Sequence, residues 1–285
     1  MKEVKLQPPE NNKLLTQIRA MFRTFQGVGG EQPVEFNFAD VEFAYPALIL
    51  PIAAHIYSTD STYSKVSDEG VSSYLQTISF PEGVEKVGDL EKEVRSDRTY
   101  IPISVLCEEK AKSAERLEEL FSQLVYRQLN PKVSSKQAVY YPIGELVTNI
   151  FEHSQSDRGF LFGQYYSKNE CLDICILDRG IGIAASYEKR KEVSLDDTAA
   201  IERALQGEST KDEEGERGYG LWTSKQMVCE GLGGDFALIS NKALYYAKKD
   251  NEKSAELPDF NWPGVVISYR IPRPTEPIDH TKYIE

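Results

Sequence analysis

Residues 145–153 read ELVTNIFEH, and the spacing inside this stretch decides how the C-terminal half is read. Ile143, Leu146, Val147, Ile150 and Phe151 recur at the i, i+3, i+4, i+7, i+8 interval of an amphipathic helix. A helix is therefore predicted from about residue 134 to 152, with that stripe turned toward a core. Glu145 and Asn149 are four apart and stack on one face, opposite the stripe. A carboxylate and an amide so placed can serve one metal-bound phosphate group. The amide oxygen is a hard ligand suited to Mg²⁺, and the carboxylate can orient or deprotonate an attacking water. Taken alone, the same pattern describes a solvated polar face.

Downstream, GFLFGQYY (159–166) and CLDICIL (171–177) flank a turn-like SKNE and read as an antiparallel hairpin. The second strand runs into LDRGIGI (177–183), with the spacing D-x-G-x-G over Asp178, Gly180 and Gly182. An Asp at a strand end can accept a hydrogen bond from an exocyclic amine such as that of adenine. The glycines let the backbone approach a flat ligand. Alone, D-x-G is also an ordinary turn.

A third motif, ERGYGLWTSK (216–225), places Gly218 and Gly220 just ahead of a helix predicted at about 221–230. Backbone N–H groups at a helix start favour a phosphate, and Arg217 and Lys225 could add charge-assisted contacts. The preceding GESTKDEEG is polar, as a mobile lid would be. The signature GxxxxGK[ST] is absent, so this is not a Walker A loop. A hairpin around Asn241-Lys242 and a last strand at 265–271, stopped by Pro272, complete the half. The order helix, two strands, helix, three strands predicts a two-layer α/β sandwich, with helices on one face of a mixed sheet.

Taken in order, E-x-x-x-N on a helix, D-x-G-x-G after a hairpin, and G-x-G at a helix start resemble the GHKL (Bergerat-fold) superfamily of ATPases over about residues 131–272. The resemblance implies ATP and Mg²⁺ as ligands. It implies Glu145 as general base, Asn149 as the Mg²⁺ ligand and Asp178 as the adenine anchor, with Gly180 and Gly182 as that box's glycines. Gly218, Gly220 and the adjoining Leu221 then lie at the lid end over the phosphates, with Arg217 beside them. His153 stands where the family often carries a His; it would lie near the phosphates or serve as a structural histidine. Gly264-Val265-Val266-Ile267 matches the closing G-T-x-F pattern loosely, with Val265 in place of the Thr. The resemblance is closest to small bacterial regulatory, anti-sigma-kinase-like members. No dimerisation helix with a phosphoacceptor His precedes the motifs, and His55 is the only upstream His.

The N-terminal half is expected to form a smaller α/β module over 1–130, with the ATPase domain over 131–285. It reads as a helix at 14–25, a strand at PVEFNF (33–38), a short apolar helix at 47–56 and a strand at YLQTISF (74–80). Residues 90–98 are charged, YIPISVL (100–106) reads as an extended linker, and a helix follows over 108–128. VEFNFADVEFAYPALILPIAAHI resembles the strand–loop–helix of STAS-like domains.

A net charge of −12 argues against non-specific nucleic-acid binding, which needs clustered Lys and Arg. No apolar run approaches the roughly 18 residues of a membrane helix, and the N-terminus carries no signal-peptide pattern. The four cysteines lack zinc-like partners and read as small buried hydrophobes. The sequence therefore predicts a cytoplasmic Mg·ATP-binding regulatory protein in which slow hydrolysis switches lid and partner contacts. A regulatory protein partner is implied, no membrane is, and a homodimer stays open. A protein serine kinase and a non-catalytic nucleotide sensor remain as alternatives.

Overall fold

The runs at 159–166 and 171–177 are apolar at almost every position because both faces of the sheet they build are covered. The computed structural model describes residues 1–30, 32–94, 98–133, 135–207, 219–249 and 251–283. The N-terminal elements are β1 (Lys2–Lys5), α1 (Leu14–Phe25), β2 (Val34–Asn37), α2 (Pro46–Ser58), β3 (Thr62–Ser64), α3 (Glu69–Thr77) and α4 (Val87–Val94). There follow β4 (Tyr100–Cys107), α5 (Ala111–Gln128), α6 (Lys136–His153), β5 (Arg158–Tyr166) and β6 (Cys171–Asp178). Helices α7 (Gly182–Lys191), α8 (Asp197–Leu205) and α9 (Gly220–Gln226) precede β7 (Asp235–Asn241), β8 (Ala243–Lys248), β9 (Asn251–Glu256) and β10 (Trp262–Pro272).

Among the described residues the strands form two sheets, and the fold is α/β. The small sheet is parallel in the order β1-β2-β3; the large one has the order β4-β5-β6-β10-β7-β8-β9. All its pairings are antiparallel, which corrects the mixed sheet expected from sequence. Alternation splits each central strand between two cores: Ile174 and Ile176 of β6 face one, Cys175 and Leu177 the other. Leu161 of β5 likewise opposes Phe160 and Phe162. Strands buried on both faces read as continuous apolar runs.

One face carries α5, α6 and the later helices. The other carries the N-terminal unit, so the sheet is not the open wall of a two-layer sandwich. Phe25 of α1 shows how the layers join: its ring lies 5.6 Å from Phe36 of the small sheet and 5.4 Å from Trp262 of the large one. Helix α2 is buried at every position from Pro46 to His55, as a helix between two sheets must be.

Several expectations change. Residues 74–80 lie largely in α3, whose cap Asp68 accepts from the Val71 amide at 2.9 Å, rather than in a strand. Residues 100–107 are no linker: β4 is buried throughout and pairs with β5, with Pro102 in the irregularity between Ile101 and Ser104. The chain therefore enters the large sheet at Tyr100, ahead of the junction expected near 131. Helices α7 and α8 and strand β9 are additions to the element order expected from sequence. The helix predicted at 221–230 is α-helical only to Gln226 and continues as a π-turn over Met227–Gly231.

A buried ion pair fastens the N-terminal unit to the sheet. Asp173 of β6 is fully buried and takes both ends of the Arg270 guanidinium, at 2.6 and 2.7 Å, and the Gln17 amide of α1 at 2.6 Å. Burial pushes its carboxyl up, while Arg270 and Gln17 pull against that. Removing one partner strands a buried charge, so Asp173→Ala should cost about 3–5 kcal/mol of stability in a denaturant melt. A loss below about 1 kcal/mol would contradict this, being the range of an exposed pair. No described helix is long and apolar enough to cross a membrane.

Candidate functional site

Helix α6 begins at Ser135, whose side chain accepts from the Ala138 amide. Ala138, Val139, Ile143, Leu146, Val147 and Ile150 are buried against the sheet side, and Phe151 is half-buried. Glu145 and Asn149 are half-buried beside Leu146 and Ile150, where α6, α7, α8 and α9 leave a cavity over the sheet. It holds about 940 Å³ of space continuous with solvent. Its walls include Leu146, Ile150, Ile176, Ile183, Leu221, Leu238, Val265 and Ile267. Its polar groups are few: Glu145, Asn149, His153, Ser154, Asp178 and Ser186.

Asp178 ends β6 at the cavity wall, 2% exposed. Its Oδ1 accepts the Gly180 amide at 2.8 Å, and the Val265 amide also faces the carboxylate. Burial outweighs these donors and raises its pKa to about 7. The Trp262 indole N–H donates to the Asp178 carbonyl at 3.0 Å, fixing the backbone. Gly264 presses on the same point with φ +103°, and a Cβ there would overlap both the Asp178 carboxylate and the Gly180 amide. Strain of this kind costs on the order of 1–3 kcal/mol. Gly264→Ala should therefore lower the melting temperature; an unchanged melt would show that the loop relaxes freely.

Glu145 is half-buried against the start of α9: a Cβ on Gly220 would overlap its Oε2. One turn earlier, the Tyr141 hydroxyl is raised by burial and by the neighbouring Glu145 carboxylate, and it hydrogen-bonds Glu145 and Thr223. His153, at the end of α6, lines the cavity with Nε2 3.9 Å from Glu152. Gly182 opens α7 at φ +78° against the Asn241 side chain, and the next amide, Ile183, donates to Ser240 Oγ at 2.9 Å.

Of the residues singled out from sequence, Glu145, Asn149, His153, Asp178, Gly182, Gly220 and Leu221 line this one cavity. Gly180 lies behind Asp178 as its hydrogen-bond donor. Arg217, Gly218 and residues 208–215 of the expected lid fall outside the described residues. Lys225 turns away from the cavity: its Nζ sits 2.8 Å from Glu252 Oε1 and 3.4 Å from the Tyr245 hydroxyl. It is buried beneath the sheet's far strands and is no phosphate contact. Sequence reasoning missed Tyr141, Ser154, Ser186 and Thr223, which sit in no recognised spacing.

No family model matches this chain, and no curated protein matches it. The four cysteines are free thiols and buried. No group of three or more His, Cys, Asp or Glu among the described residues could hold a metal ion. A Mg²⁺ ion at this site would draw its remaining ligands from phosphate and water, as Mg²⁺ habitually does.

Proposed function

We propose that the cavity binds Mg·ATP in the manner of the GHKL ATPases and hydrolyses it slowly. The observation that carries the reading is convergence: residues from three motifs separated along the chain, Glu145, Asn149 and His153, then Asp178 and Gly182, then Gly220 and Leu221, line one cavity. The residues present fit both ligands. A buried carboxylate, Asp178, stands in the wall of a largely apolar cavity, where it can accept from a purine amine. Asn149 supplies a hard oxygen for Mg²⁺, which when bound neutralises phosphate charge. Glu145, held between Tyr141 and Gly220, orients the attacking water and accepts its proton.

The wider reading is a cytoplasmic regulatory switch acting on a protein partner. Asn149→Ala should weaken ATP binding in Mg²⁺ and narrow the gap between affinities measured with Mg²⁺ and with EDTA. An equal Mg²⁺ dependence in the variant would remove Asn149 from the metal. Incubation with γ-labelled ATP and candidate partners decides the chemistry. Label released as phosphate supports the hydrolase; label on a partner serine makes the protein a kinase; bound but intact ATP makes it a sensor.

A further inference from the structure

Arg179 follows the Asp178 carboxylate by one residue and reaches away from the cavity into the N-terminal unit. Its guanidinium donates to the Gly30 carbonyl and, at 3.3 Å, to His55 Nδ1 on α2; it also lies over the Trp262 ring, 5.2 Å from the centroid. His55 is a neutral acceptor here by geometry: its Nε2 donates to the Gln32 carbonyl at 3.1 Å, which leaves Nδ1 as the lone-pair side. Burial, and then the Arg179 charge, hold its pKa down at about 4, so it keeps that form at neutral pH. Trp262 closes the circuit through its bond to the Asp178 carbonyl.

The same N-terminal segment is tied to the loop ahead of β10. The Gly27 amide donates to the Asp259 carbonyl at 2.6 Å, Gln26 Nε2 to Pro258 O at 3.3 Å, and the Phe22 and Phe260 rings lie 5.8 Å apart. Gly30 abuts Pro263, where a Cβ would come within 3.3 Å. The two backbone amides on the Asp178 carboxylate, Gly180 and Val265, thus belong to the two segments this junction grips.

We infer that Arg179 is a positioning residue linking the N-terminal unit to Asp178, so that whatever displaces α2 or the 27–30 turn changes the cavity's affinity for its ligand. This rests on the nucleotide reading above. The link runs through a side chain that touches no ligand, and it gives the N-terminal unit a way to answer to a partner.

His55→Phe tests it from the far side. The His55 ring packs edge-on against Phe25 and Phe36, so a phenyl ring keeps the packing and removes only the nitrogen partners. ATP affinity should fall about tenfold in His55→Phe and likewise in Arg179→Gln. The double variant should be no more than about twofold weaker than either single, because both cut one link. Wild-type affinity in His55→Phe, or effects that multiply in the double variant, would overturn the inference. Arg179→Gln lies outside the core and keeps the comparison alive if His55→Phe folds poorly. Hydrogen exchange of the protein without ligand separates this failure from that of the nucleotide reading. The amides of 178–182 should exchange at least tenfold faster in both variants, with those of β7 and β8 unchanged. If wild-type protein binds no ATP, the nucleotide reading fails and the exchange result alone stands for or against the link.

Discussion

Glu145→Gln is expected to slow ATP hydrolysis by about 10²–10⁴-fold, the usual contribution of a general base, while Mg·ATP affinity stays within a few-fold of wild type. The amide has the same shape and cannot take a proton. The position leaves little room for rescue. Gly220 stands so close that a methyl group would overlap Oε2, and the Tyr141 hydroxyl, which also bonds Thr223, hydrogen-bonds the carboxylate. A water admitted beside Glu145 therefore meets one base in a confined place. Single-turnover hydrolysis with bound nucleotide measured separately checks both halves of the statement. Hydrolysis at the wild-type rate would make Glu145 an ordinary polar residue of the α6 surface.

Glu145, Asn149 and Asp178 were legible in the sequence as separate candidates because each depends on a local rule, while their shared cavity is seen only in the structure. A four-residue interval on a helix and an acidic residue at a strand end need no knowledge of the rest of the chain. Helix α1 was legible for the same reason, down to its bounds at Leu14 and Phe25. What failed depended on distant partners. Val71, Tyr74, Leu75 and Ile78 carry a helical interval, yet the short apolar run YLQTISF reads as a strand until Asp68 is seen to cap it. Residues 100–107 look like a linker because Pro102 interrupts them; only the pairing with β5 makes them a strand. Helix α7, GIAASYEKRK, has hardly any apolar stripe, and its first turn is fixed from outside through Ser154 and Ser240. Tyr141 gains meaning only when α9 lies beside α6.

Asp178→Asn should weaken ATP binding and stabilise the protein at once. The adenine amine would donate to an ionised carboxylate; losing a charged hydrogen bond costs roughly 1.5–3 kcal/mol, about tenfold or more in affinity. Stability moves the other way. The folded pKa of Asp178 is about 7, raised by burial above the ordinary carboxylate value. Its contribution to stability is thus fully present below about pH 4 and is lost as pH rises through 7. A neutral Asn escapes that loss and can still accept the Gly180 amide. One pKa unit corresponds to roughly 1.4 kcal/mol. Allowing for the amide's own burial, the variant should gain on the order of 2 kcal/mol at pH 8, and the gain should shrink toward pH 4. Melts across this range check it. A variant less stable than wild type at pH 8 would mean that the carboxylate serves the fold, not a ligand.

The most direct measurement is a calorimetric titration of Mg·ATP into the wild-type protein and into folded Asp178→Asn at pH 8. The account predicts a saturable one-to-one heat for the wild type and at least tenfold weaker binding for the variant. No saturable heat from the wild type up to about 1 mM ATP, the upper end of usual substrate ranges, would contradict it, as would equal affinity in the two proteins.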